Sequence, residues 1–313
     1  MLSLIIRRLF AAIPVVLIVA TVVFLLLRMA PGDPARVIAG DMASEETIAQ
    51  IRSNLALDQP LIKQYALAMG KMLQGDLGTS IISQQPVSKL ISARLGPTAA
   101  LASTAMLLTI LLAIPIGVLS AWWHRRWFDR VATASTILAF SVPAFVVGYV
   151  LILVFSVQLN WLPVQGYTPL ADGVGPFLYR LVLPSLTLAT VFVALITRIT
   201  RASMLDILGE DFVRTARAKG VPEKYVLFRH ALRNAAAPIV TVIGVAITTL
   251  ISGVVVTETI FNIPGVGSLI VDAVLARDYP VVQGTILFFS FIYVFVNLAI
   301  DLIYVLLDPR IRY

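Results

Sequence analysis

The residues able to do chemistry in this chain are few, and their spacing argues against catalysis. Its two histidines, His124 and His230, have no partner histidine at metal-ligand spacing, and there is no cysteine to supply a thiolate. No Gly-x-Ser-x-Gly turn occurs, and no serine lies three residues before a lysine, so the usual activated nucleophiles are missing. A phosphate-cradling loop is missing too, because the Gly70-Lys71 pair continues into Met72, where such a loop needs Ser or Thr. No catalytic residue and no metal ligand is nominated. The chain is expected to hydrolyse no ATP by itself.

Composition explains this poverty. Of 313 residues, 59% are hydrophobic and only 13% charged, and the mean hydropathy is +0.92, which excludes an ordinary soluble domain. The expected class is an all-α polytopic membrane protein. The net charge of +7 reads as a topology signal, since Lys and Arg concentrate in alternate loops, and nucleic acid is a poor candidate partner. Ion-driven carriers usually hold ionisable groups at membrane depth. Here the apolar runs are almost bare of charge. Asp301 is the exception, read as a partner for a basic loop residue, and the neutral Asn297 one turn earlier reads as interhelical glue.

Six apolar runs read as membrane spans: 9–27, 98–121, 131–157, 181–196, 235–257 and 281–307. Arg7 and Arg8 before the first run, the cluster Trp122-Trp123-His124-Arg125-Arg126-Trp127 after the second, and Arg310 with Arg312 at the end place both termini in the cytoplasm. The division expected is 1–97, a first span plus an external segment, and 98–313, a five-helix core. The external segment opens on the turn Pro31-Gly32-Asp33-Pro34 and should hold two short helices, starting near Ser44 and near Pro60. Ile62, Tyr65, Ala66 and Met69 share a face of the second, suited to capping the membrane domain or meeting an external partner. Pro14, Pro115, Pro143 and Pro238 are either flex points or tolerated kinks.

One polar stretch remains, 198–234. Between Ala202 and Lys219 an amphipathic helix is expected, with Leu205, Leu208, Phe212 and Ala216 on one face and Asp206, Glu210 and Arg214 on another. Gly220 supplies a left-handed stop and Pro222 begins a second helix carrying Tyr225, Val226, Phe228 and Leu232. The small residues Ala216, Ala218 and Gly220 would let another protein approach closely, while Arg214, Arg217 and Lys219 ring the turn. A contact that delivers mechanical work and a merely solvated basic loop both fit this pattern.

The run Glu210-Asp211-Phe212-Val213-Arg214-Thr215-Ala216-Arg217-Ala218-Lys219-Gly220 resembles the coupling loop of ATP-binding-cassette importer permeases of the dipeptide, oligopeptide and nickel branch. Further motifs resemble that branch in the same order, including Gly75-Asp76-Leu77-Gly78-Thr79-Ser80, His230-Ala231-Leu232-Arg233-Asn234, Thr257-Glu258-Thr259-Ile260-Phe261, Pro264-Gly265-Val266-Gly267 and Arg277-Asp278-Tyr279-Pro280. The chain looks like the B-type of the two permease subunits. It departs from the broad permease pattern in having Arg214-Thr215-Ala216 where Glu-Ala-Ala is usual and Arg233 where proline is usual.

The resemblance implies a type I importer permease fold with six transmembrane helices, in a bacterial or archaeal cytoplasmic membrane. It implies a second homologous permease subunit, two ATPase subunits that carry ATP and magnesium, and an external substrate-binding protein; this chain itself would bind no cofactor. The coupling residues would be Arg214, Thr215, Ala216, Arg217, Ala218, Lys219, Gly220 and Val221. Glu258, Pro264, Gly265 and Gly267 would form an outer contact or gate, or a structural turn. Di- or oligopeptides are the expected cargo, with nickel chelates, glutathione and sugars as alternatives. An ion-coupled carrier or a scaffold without transport are the readings from other classes.

Overall fold

The structure, a computed structural model, describes residues 2–29, 35–36, 44–54 and 57–307. The turn at Pro31 to Pro34 and the arginines at 310 and 312 lie outside these residues. Among the described residues the elements are helical apart from one isolated bridge, Thr79 to Pro86. They are α1 (Leu2–Met29), α2 (Glu45–Asn54), α3 (Leu61–Leu73), α4 (Val87–Trp122), α5 (Trp127–Ser141) and α6 (Ala144–Gln158). After these come α7 (Val174–Leu208), α8 (Asp211–Ala218), α9 (Ala236–Ile260), α10 (Val266–Leu275) and α11 (Tyr279–Leu307).

Large apolar side chains face outward along these helices: Phe10, Ile18, Ile137, Leu138 and Phe295 are each more than 60% exposed. Water does not tolerate so much contiguous apolar surface, whereas a hydrocarbon core does. Among the described residues, five single helices are long and apolar enough to cross a bilayer. The third expected span is different, being two helices, α5 and α6, bent by 105°. The break falls at Val142, extended at φ −101° and ψ 124° because the ring of Pro143 disfavours helical geometry in the residue before it. Pro97, Pro115 and Pro184 lie within continuous helices.

The chain divides into two compact units, residues 1–96 with 265–295, and residues 97–264 with 296–313. In the first, Tyr65 of α3 packs edge-on against Phe24 of α1 and shares a 2.7 Å hydrogen bond with Thr21. Gln64 is buried and donates to the carbonyls of Leu57 and Gln59, so α3 turns Gln64 and Tyr65 inward and leaves Ile62 exposed. The expected shared face is therefore split. A second cluster joins Val87 and Ile91 to Val266, Leu269 and Val281. Beside it the buried Asp278 carboxylate accepts from the Ser80 hydroxyl and from the Ile81 and Ile82 amides, tying two of the motifs together.

In the second unit α7 is the central post. Along α4, Thr104 bonds Ser185, the Ala113 carbonyl accepts from Thr197, and Gly117 lies against Thr200, so α4 and α7 run parallel. The bent pair runs the other way, with Asp129 at Arg201, Gly148 beside Thr187, and Tyr179 donating to the Trp161 carbonyl. Two parallel spans need an odd number of passes between them. The bent pair is that pass, which brings the total among the described residues to six. α9 packs antiparallel to α7, with Gly253 against Leu188, and with Ile239 and Met204 in one cluster.

Candidate functional site

The polar stretch begins later than its charge suggests. α7 continues as helix through Arg198 and Arg201 to Leu208, so the expected single helix over 202–219 is two, interrupted at Gly209 and Glu210. Glu210 is extended at φ −71° and ψ 149°, which starts α8 afresh. Asp206 and Glu210 thus leave the face shared with Arg214, which instead pairs with Asp211 at 3.1 Å. The inward residue of α8 is Val213, fully buried; Phe212 is 43% exposed.

α8 closes as the glycine position predicts. Gly220 is left-handed at φ +75°, its amide bonds the Arg217 carbonyl at 2.9 Å, and the Val221 amide bonds the Ala216 carbonyl at 3.2 Å. Those two bonds are the paired closure of a Schellman motif. No atom lies within 4 Å of a methyl group placed on Gly220, so its demand is conformational rather than steric. Across the turn Arg217 grips Glu223 with bonds of 2.7 and 3.2 Å, and this carboxylate holds the guanidinium above its ordinary pKa.

After the N-cap Pro222 come a helical turn, Glu223–Tyr225, a π segment, Val226–Ala231, and another turn, Leu232–Asn234. In π geometry residues five apart stack. Val226 and Ala231 are accordingly both buried, together with Leu227, while Tyr225 and Phe228 are about half exposed. Leu227 and Ala231 join Val118 and Ala121 of α4, Met204 of α7, and Ala235 and Ile239, so one cluster ties the loop to the ends of three spans.

The outer face of the loop is basic and aromatic. Arg214, Thr215, Arg217, Ala218, Lys219 and Gly220 are exposed, and Ala216 and Val221 are half-buried. Phe212, Tyr225 and Phe228 are exposed as well, as are Lys224 and Arg229. The second candidate group is placed otherwise. Glu258 is fully buried near the end of α9 and accepts a 2.6 Å bond from Thr98, so its side chain offers no surface contact. Gly265 and Gly267 are buried while Pro264 is exposed. Ser268 bonds back to the Gly265 amide at 3.1 Å, capping α10.

Sequence reading missed a polar clamp next to the loop. Arg201 donates through Nε and, at 2.8 Å, through Nη2 to the two oxygens of Asp129, and Nη2 also lies 3.1 Å from His124 Nδ1. Asp129 further accepts from the Arg125 amide. Its one sequence signal was an acid set in a run of aromatic and basic residues. Among the described residues no cluster of three metal-ligating side chains occurs.

Six apolar passes among the described residues, with one braced basic loop, make this a multi-pass membrane protein. The chain belongs to the family of binding-protein-dependent transport system inner membrane components, which matches residues 113–313, and the N-terminal region of such components matches residues 1–102. It is 48% identical over 99% of both chains to a probable peptide ABC transporter permease protein, y4tP, of Sinorhizobium fredii. It is 45% identical over the whole of both chains to the glutathione transport system permease protein GsiC of Salmonella choleraesuis, and 44% to that of Escherichia coli. The chain is an ABC importer permease subunit of the dipeptide and oligopeptide type.

Proposed function

We propose that the loop from Arg214 to Val221 is where this permease receives work from cytoplasmic ATPases, and that its cargo is a short peptide. The observation that carries the first part is the brace: the loop is stopped by a Schellman turn, clasped by Arg217 and Glu223, and seated through Leu227 and Ala231 on the ends of α4, α7 and α9. A push on the exposed face of α8 then moves helix ends rather than deforming a loop. In this reading two ATPase subunits hold ATP and magnesium and seat α8 in a groove. As they close and reopen, this chain and a homologous second permease, of which this is the B-type, rock between outward- and inward-open states. An external binding protein delivers the cargo.

The same reading puts the loop and both termini in the cytoplasm, since the basic turns after α4 and α7 fall on one side. Peptide cargo follows the names of the similar permeases, for a peptide and for glutathione, itself a tripeptide. Mass spectrometry of what the cognate binding protein carries tests the cargo. Coupling is tested in the assembled transporter: Gly220→Pro, or charge reversal of Arg214 and Arg217 together, should abolish uptake while leaving the chain inserted and assembled. Uptake at the wild-type rate by either variant would sink the coupling assignment.

A further inference from the structure

At the turn from α4 into α5 three arginines, Arg125, Arg126 and Arg130, are exposed, and among the described residues their guanidinium groups make no ion pair. The nearby carboxylate, Asp129, is buried and committed to Arg201, so it does not neutralise them. Around them stands an aromatic platform. Trp122 stacks on Trp123 at 5.2 Å, Trp123 meets Phe128 edge-on at 5.3 Å, and Phe128 meets Trp127 edge-on at 5.9 Å. Arg125 is held in a left-handed conformation, φ +62°, by its amide bond to Asp129, which fixes the turn.

From this turn an apolar groove of about 490 Å³ runs between α4, α5 and α7. Trp127 and Phe128 open it, and Val131, Ala139, Leu186 and Val193 continue it. From Trp127 to Ala139 a helix rises roughly 18 Å, close to the half-thickness of about 15 Å that one leaflet contributes to the hydrocarbon core. Trp127, Arg130 and Val131 fall on one face of α5 at three- and four-residue spacing, so charge, aromatic belt and groove follow one another along one line.

We propose that this is a binding site for an anionic phospholipid, its phosphate held by Arg125, Arg126 and Arg130 and an acyl chain laid in the groove below. Charge complementarity selects this occupant over a partner helix, which would fill the groove but leave three arginines unanswered. Arginine suits a phosphate because its fork donates two parallel hydrogen bonds, and tryptophan suits the level of the headgroups. The site needs only the bilayer, so it stands or falls separately from the coupling role of the loop.

The test is native mass spectrometry of the full-length chain with the subunits that accompany it from the membrane, equilibrated with mixed phosphatidylglycerol and phosphatidylcholine. Wild type should retain one phosphatidylglycerol per chain in preference to phosphatidylcholine. Replacing each arginine by glutamine should weaken retention about fivefold per residue, and Ala132→Trp, which fills the groove, should also lower it. The arginine positions are exposed, so those variants should melt like wild type. Equal retention of the two lipids, unchanged retention in the triple glutamine variant, or retention persisting in Ala132→Trp would each overturn the proposal. Displacement by inorganic phosphate would overturn it in favour of a free-anion site, and an assembled complex without bound lipid would do so in favour of a partner helix.

Discussion

Arg201 on α7 and Asp129 on α5 face each other through two hydrogen bonds, and the pair ties the bent third span to the helix that leads into the loop. Asp129 has a side-chain exposure of 4% against 26% for Arg201, so removing the arginine strands a buried carboxylate, the harsher of the two single losses. Loss of one partner of a buried pair costs about 3 kcal/mol. Asp129→Ala should therefore lower the melting temperature of the purified permease clearly, and Arg201→Ala should do the same. The exchange Asp129→Arg with Arg201→Asp should recover part of the loss. A melt unchanged in both single variants would show that the pair contributes nothing net.

The clasp between Arg217 and Glu223 should behave in the opposite way. Both side chains are more than a third exposed, and pairs of that kind contribute at most about 1 kcal/mol. Glu223→Gln should leave the melting temperature nearly untouched. If the turn transmits work, uptake per ATP hydrolysed should nevertheless fall, because the exposed end of α8 loses its tether to the segment that sits on the spans. Simultaneous assay of uptake and hydrolysis separates the two effects.

Much of this was legible in the sequence, and the exceptions share a physical cause. The six apolar runs and the left-handed Gly220 are local matters, decided by composition and by the backbone freedom of one residue. The bend at Val142 was not local. Pro97, Pro115, Pro143 and Pro184 look alike in sequence, yet only Pro143 separates two helices at a sharp angle. The π segment over 226–231 changes the spacing at which residues stack, which no hydrophobic pattern of period 3.6 reveals. Partners for Asp129 and Asp278 lie 72 and about 200 residues away along the chain, a distance no motif bridges. Of the site residues, six of the eight in the loop group are exposed and Ala216 and Val221 half-buried, while Glu258 turns inward.

Gly220→Ala tests backbone strain apart from contact. Open space surrounds the position, so the added methyl clashes with nothing, and the cost is that of holding alanine left-handed, about 1–2 kcal/mol. Gly220→Asn should cost less, because asparagine tolerates that region. Gly220→Pro should cost most, since it fixes φ near −65° and removes the amide that bonds Arg217. Uptake should rank in the order Gly, Asn, Ala, Pro. Any other order would mean that the turn's conformation does not govern its function.

Gly284 presents a purely steric test in the first unit. A β-carbon built there would sit 2.5 Å from the Val87 Cγ1 and 3.4 Å from the Leu77 Cβ, and Val87 is fully buried. Overpacking of this kind costs roughly 1–3 kcal/mol, so Gly284→Ala should lower the melting temperature. The clash is with a side-chain methyl rather than backbone, which makes it repairable. Val87→Ala alone should also destabilise, by opening a cavity, but combined with Gly284→Ala it should be milder than the sum of the two, because each change supplies the volume the other removes. Strict additivity in the double variant would show that α11 and the start of α4 do not meet at these two residues.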